Sequence, residues 1–320
     1  MPNNAPKFLA ALALAAPATA QDTDLDGIRE ELSRYVAGSD VGAGYAQIIN
    51  MFIDPSISLS RLEIDDDGAG GEFDIAKLPM HWELPSGDQT WRLTLRGLLS
   101  HSSFKDTEQL IPGETIDSDW RADSGMIGLG LSVPWSDHWY GVVIAEAGIS
   151  HLENKADYNG PGAQAVGEIV DGILLNWKSY AAIYDLRLGA DYIDQPTRNR
   201  GISIKTRYSF AHTASFGESR DFPSFEENTH VISALGEYRH PWGFSIGEFP
   251  VFGIVSAGGT AFLGHNRDAL GFTQFYQAGY SLALDISKRN YWIKSLSLGY
   301  QWNQGKDVSG QSILFSWEIN

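Results

Sequence analysis

The sequence has 320 residues, no cysteine and a formal net charge of −17. The acidity excludes nucleic acid as a partner, and the missing thiols exclude disulfide bridges and thiol catalysis. Aromatic residues make up 12% of the chain and glycine 34 positions, while mean hydropathy stays at −0.20. That combination fits a sheet that shows lipid only every second residue.

The first element is a leader. Lys7 precedes the apolar run Phe8-Leu-Ala-Ala-Leu-Ala-Leu-Ala-Ala, and Ala18-Thr-Ala20 follows it. A basic residue, a short apolar stretch and an A-x-A site read as a signal peptide over residues 1–20, cleaved near Gln21. No later apolar run is long enough for a spanning helix. Residues 24–37 follow with Leu25, Ile28, Leu32, Tyr35 and Val36 at helical spacing, and Thr23 with Asp26 as a capping box. Residues 21–42 are therefore a short helical N-terminal segment, and 43–320 form the remaining domain.

From there the pattern changes to period two. Trp91, Leu93 and Leu95 alternate with Arg92, Thr94 and Arg96; Tyr184, Leu186 and Leu188 alternate with Asp185, Arg187 and Gly189. Similar alternation recurs to the end, where Ile313, Phe315, Trp317 and Ile319 alternate with Ser312, Ser316 and Glu318. The spacing predicts strands near 56–64, 72–84, 90–104, 119–133, 138–152, 179–193, 201–213, 229–240, 250–264, 271–287, 292–304 and 309–320. Compact links such as Pro134-Trp-Ser-Asp and Pro241-Trp-Gly alternate with mostly longer ones at 105–118, 153–178 and 214–228. Residues 163–177 show helical spacing, which predicts a helix inside the second long loop, although two further strands fit its composition too.

The fold class read from this is all-β: a transmembrane antiparallel up-and-down β-barrel of about twelve strands with a short N-terminal helix. Short turns face the periplasm and long loops the exterior, which puts both termini in the periplasm. Trp82, Trp91, Trp135, Trp139, Tyr192, Trp242, Tyr291, Trp292 and Trp317 fall beside the short turns or the C-terminus, as an interfacial aromatic girdle does. The expected location is the outer membrane of a Gram-negative cell, in contact with its lipid and lipopolysaccharide.

Three features resemble the solitary outer-membrane barrels related to autotransporter translocator domains. They are the strand count, the helix over 24–37 just before the barrel, and the terminal strand Gln311-Ser-Ile-Leu-Phe-Ser-Trp-Glu-Ile-Asn320. In that strand Gly310-x-x-Ile313-x-Phe315 is similar to the insertion signal read by the barrel assembly machinery, although Asn320 stands where an aromatic residue usually ends it. The resemblance implies architecture, targeting and that assembly partner. It implies no particular activity.

Parity sends Arg92, Arg96, Arg187, Lys205, Arg207 and Arg239 into the lumen, together with Asp185, Asp191, Glu237 and Asp285. A plugged or narrow lumen is expected, with the helix over 24–37 as plug and its Asp24, Asp26, Glu30 and Glu31 set against the lumen cations. The leading functional reading is a non-enzymatic barrel with a structural or narrow-passage role. The alternative is a lipid hydrolase: His101 and Ser103 share one strand face, a spacing that resembles the catalytic pair of outer-membrane phospholipase and lipid A deacylase barrels. No orienting acid is legible for that pair, and a rim of histidines facing lipopolysaccharide phosphates is the favoured account. Asp65-Asp-Asp-Gly68 lacks EF-hand spacing and reads as a solvated acidic turn, so no metal and no cofactor are expected.

Overall fold

A computed structural model of the protein describes residues 25–37, 46–47, 59–66, 69–84, 90–217, 219, 222–264, 267, 269–289 and 293–319. The leader, the Asp65–Gly68 side chains, Tyr291 and Trp292 lie outside them. Among the described residues two helices with defined ends, α1 (Leu25–Ala37) and α2 (Pro161–Val170), accompany twelve strands. In chain order these are β1 (Leu59–Asp66), β2 (Ala69–Leu84), β3 (Arg92–Ile111), β4 (Glu114–Pro134), β5 (Trp139–Asn159) and β6 (Lys178–Thr197). They continue as β7 (Arg200–Phe216), β8 (Glu226–Ile246), β9 (Phe249–Leu263), β10 (Gln274–Asp285), β11 (Ile293–Gly305) and β12 (Val308–Ile319).

Each strand pairs antiparallel with its sequence neighbours. β1 closes the ring by pairing with β2 through Leu62↔Phe73 and with β12 through Leu62↔Gly310. Closure leaves no open sheet edge for lipid to desolvate, which is the condition for strands to cross a bilayer. The period-two pattern puts Ile127, Leu129 and Leu131 of β4 and Leu186 and Leu188 of β6 on the outside, where all five are well exposed. Such a surface is unfavourable in water and stable against hydrocarbon. The girdle forms at the short turns: Trp139 packs on Trp135 at 6.2 Å and on Tyr192 at 5.2 Å. Replacing Leu129 with Arg, near the centre of the apolar band, is expected to lower the unfolding free energy in lipid vesicles by about 2–4 kcal/mol. Urea titration of the refolded barrel checks this, and an unchanged midpoint would place Leu129 away from hydrocarbon.

The wall is uneven. β3, β4 and β5 have 20, 21 and 21 residues, whereas β10 and β12 have 12 each. About 9–11 tilted residues cross the membrane, so the tall strands project beyond it. This corrects the expectation of a long loop over 105–118. β3 and β4 continue through it and turn only at Pro112-Gly113, where Gly113 has φ 89°. Outward residues there are Lys105, Thr107, Asp117 and Asp119, polar because they face water instead of lipid.

Two proline links also turn out to be strand. β6 runs through Pro196 and β8 through Pro241, each beside a register shift: Asp194/Thr197 on the β6–β7 side and Pro241/Ser245 on the β8–β9 side. A proline cannot donate to the ladder, and a bulge is where that loss is tolerated.

The loop helix is shorter than the predicted 163–177. α2 ends at Val170, and 171–177 form turns held by Asn176, whose φ of 55° lies in the left-handed region that Asn tolerates. α1 lies beside α2, in the exterior half of the barrel. Since α2 follows the outward end of β5, residues 25–37 lie on the exterior side, against α2.

Candidate functional site

The barrel interior is built in three tiers. The exterior tier is apolar. Inward positions of the projecting strands supply Phe73, Ile75, Trp120, Leu152 and Ile183, and α2 fills the space between them with Ala163, Val166 and Val170, each with 0% exposure. Trp177 anchors the loop: it stacks on Phe222 at 4.1 Å, meets Trp120 edge-on at 5.7 Å and donates its indole N–H to the Leu174 carbonyl at 2.9 Å. α1 adds Leu32, 3% exposed, with Ile28 packed alongside.

Polar side chains fix α2 at both ends. Gly160 at its start has no side chain to cap with, and Glu114 from β4 substitutes by accepting the Ala163 N–H at 2.9 Å. At the other end Arg29 of α1 donates to the carbonyls of Glu168, Ile169 and Asp171 at 2.9, 3.0 and 2.7 Å. A guanidinium satisfies carbonyls that a helix C-terminus leaves open and complements its dipole. Tyr158 donates to Asp171, and Asn176 donates to the same carboxylate oxygen at 2.7 Å.

The middle tier is a largely buried charge network. Glu146 on β5 accepts from Arg96 at 2.9 Å and from Arg187 at 2.6 Å, while Arg187 also reaches Asp185 at 2.6 Å. The side chains of Glu146, Arg187 and Asp185 are 3%, 4% and 0% exposed. Arg207 grips Asp191 with both terminal nitrogens, the longer contact at 3.0 Å. Glu146 was not among the residues picked out from the sequence. The signal was available, because Glu146 shares its inward face with Val142 and Ile144 and Arg96 faces inward two strands away, across β4.

Asp24 lies outside the described residues, and among the described residues no ion pair joins Asp26, Glu30 or Glu31 to the lumen cations. Glu30 pairs with Arg34 of its own helix at 3.6 Å, and both are exposed; Arg96, Arg187 and Arg207 take their carboxylates from the barrel wall.

Towards the periplasm the interior opens into a chamber of about 1000 Å³. Arg92, Arg96, Arg187, Lys205, Arg207 and Arg239 all line it. Arg92 lies over the Tyr140 ring at 5.3 Å, and Lys205 pairs with Glu237 at 3.6 Å. Of the terminal-strand residues, Ile313 and Phe315 face outward, about half exposed, and Trp317 packs on Phe315 at 5.7 Å. Ile319 ends β12 in register with Ile293.

His101 and Ser103 sit outside, on the outward face of β3. The cross-strand pairing His101↔Asp123 brings a carboxylate to the imidazole, with Nδ1 2.7 Å from Asp123 Oδ1. An orienting acid therefore exists, supplied by β4. The second link of a nucleophilic relay is missing: among the described residues no hydrogen bond joins Ser103 to His101. His151 and His230 are likewise engaged, His151 by the Tyr180 ring at 5.1 Å and His230 by the Tyr208 hydroxyl at 2.7 Å. Among the described residues no group of acidic or histidine side chains could hold a metal ion.

A closed antiparallel barrel with a lipid-facing apolar band and an occupied lumen defines an outer-membrane β-barrel protein. The model of the solitary outer membrane autotransporter beta-barrel domain matches residues 58–319, and the chain belongs to that family. It is an autotransporter-type β-barrel and resides in the outer membrane. The translocator domain of the autotransporter NalP from Neisseria meningitidis is similar in structure, with a TM-score of 0.57 at 12% identity, covering 89% of this chain and 99% of that one. The transport unit of the autotransporter AIDA-I from Escherichia coli gives a TM-score of 0.50 at 8% identity, covering 87% and 98%. At these identities the likeness is one of fold. No curated protein matches the sequence.

Proposed function

We propose that the protein is a non-enzymatic, non-conducting outer-membrane barrel, closed to the exterior and open only towards the periplasm. The observation that carries this reading is the apolar exterior tier, in which Val166, Val170 and Trp177 fill the lumen where a passage would have to run. Water and solutes do not cross a dry, packed apolar layer of this kind without its displacement. In this reading α1 is a strut that contributes Leu32 and the Arg29 clamp to the plug, and α2 is its body. The surrounding partners are membrane lipid and lipopolysaccharide, with the barrel assembly machinery engaging β12 during biogenesis.

The test is planar-bilayer recording of the full chain. The expected result is the absence of conductance steps at concentrations where an open barrel conducts; regular steps from the unmodified protein would overturn the reading. The hydrolase alternative is separated by Ser103→Ala, which is expected to leave lipid release from outer-membrane vesicles at its background level. A drop in release on that substitution would establish Ser103 as a nucleophile and remove the non-enzymatic part of the proposal.

A further inference from the structure

We infer that the periplasm-facing chamber is a binding site for an anionic saccharide. The first observation is a contrast of charge. The chain as a whole carries −17, yet its chamber is lined by seven Lys and Arg side chains against three carboxylates in the lining and two more, Glu146 and Asp185, bonded behind Arg96 and Arg187, so cations stay in excess. An acidic protein that concentrates guanidinium groups on one enclosed surface creates a local positive field there, and low-dielectric walls focus it.

The second observation is that the lining is two-sided. The cations stand on β2, β3, β6, β7 and β8, as Lys77, Arg92, Arg96, Arg187, Lys205, Arg207 and Arg239. The arc formed by β9, β10 and β11 carries no charge in the chamber and presents hydroxyls instead: Ser256, Ser281, Ser295 and Ser297. Guanidinium forks recognise carboxylate and phosphate oxygens in pairs. Serine hydroxyls both donate and accept, which matches a sugar hydroxyl of either role. A simple inorganic anion uses only the first wall. A neutral sugar uses only the second. A sugar acid uses both.

The third observation is size and access. A volume of about 1000 Å³ stands at the upper end of small-ligand pockets, about 300–1,000 Å³, and accommodates more than one sugar ring. Glu83, Arg92 and Ser132, near the periplasmic strand ends, are part of the lining, so entry is from the periplasm. Several cations already have partners, Arg207 with Asp191 and Lys205 with Glu237. Arg92 has no carboxylate bonded to it among the described residues, and its contact is the Tyr140 ring. Arg92 is thus the first anchor for an incoming acid, and Lys205, 42% exposed with its carboxylate 3.6 Å away, the second.

The test is titration calorimetry of the full chain in detergent micelles with trigalacturonate, maltotriose and inorganic phosphate. Trigalacturonate is expected to bind saturably, at least about tenfold more tightly than either of the others, and more weakly at high salt. The double variant Arg92→Ser/Lys205→Ser is expected to lose that binding while keeping heat-modifiable gel migration, the sign of an intact barrel. Ser281→Val/Ser297→Val is expected to weaken trigalacturonate without changing phosphate. Equal affinity for phosphate and trigalacturonate, or unchanged binding in the Arg92/Lys205 variant, would overturn the inference. Binding is read in solution and conductance across a bilayer, so either result stands without the other.

Discussion

Placing Asp at both Val166 and Val170 is expected to convert a silent barrel into a conducting one. Both side chains have 0% exposure and belong to the buried apolar cluster that includes Ile75, Trp120 and Leu152. Burying a carboxylate there without a partner costs several kcal/mol. Two such groups exceed what the exterior tier can absorb, so the loop has to give way. It can do so because the barrel wall does not depend on it: the strand ladder closes through β1 and β12 alone. The lowest-energy response is for residues 160–177 to swing into external water and leave the lumen open above the charge network. Stepwise conductance in planar bilayers reports the opening, and a red shift in tryptophan emission reports the exposure of Trp177. Gln164→Asp, on the exposed side of the same helix, is the control and stays silent. A double variant that keeps heat-modifiable migration yet never conducts would mean that the seal lies elsewhere. Removing residues 21–40 is expected to act in the same direction but more weakly, since it takes away Leu32 and the Arg29 clamp and leaves α2 in place.

The strands were legible where they touch lipid and not beyond it. Hydrocarbon demands apolar side chains at every second position, and that demand is what writes Leu186, Leu188 and Leu298 into the sequence at period two. Past the membrane the outward residues meet water, as Lys105, Thr107 and Glu153 do, and the alternation loses its contrast. Strand and loop then look alike, so β3 and β4 were expected to stop short of Ile111 and to start after Glu114. The prolines misled for a related reason. Pro196 and Pro241 signal turns locally, but the ladder accommodates them at bulges whose existence depends on the neighbouring strand.

The interior was half legible. Parity alone sends Arg92, Arg96, Arg187, Lys205, Arg207 and Arg239 inward, and inward is where they lie. Parity does not say which acid meets which base. The acidic residues of α1 were the conspicuous cluster, whereas Glu146 stands alone between Ala145 and Ala147; the pairing that matters is set by strand register, Glu146↔Asp185 on one side and Gly128 on the other. The apolar spacing of α2 was visible too. That its apolar face fills a barrel and does not cover a sheet follows only from closure.

Glu146→Gln is expected to be the most damaging single substitution in the wall. The carboxylate bridges Arg96 and Arg187, at 2.9 and 2.6 Å, and is 3% exposed. Glutamine keeps the shape and offers one acceptor oxygen, so one guanidinium is left facing an amide and the tier carries an uncompensated positive charge. Breaking a buried pair in this way costs about 3–5 kcal/mol. The size follows from what remains, not from what the intact bridge contributes: Arg187 keeps Asp185, but Arg96 has no second carboxylate bonded to it among the described residues. Arg96→Met is therefore expected to cost less than Glu146→Gln, because Glu146 retains Arg187. The double variant is expected to cost less than the two singles together, since removing Arg96 takes away the charge that the first change strands. Urea unfolding in vesicles gives all three values. A loss within about 0.5 kcal/mol for Glu146→Gln, the range of an ordinary surface change, would mean that water reaches the network and screens it. Conductance separates this tier from the one above it. The Glu146→Gln barrel is weaker but stays silent, because the layer that closes it is Val166, Val170 and Trp177.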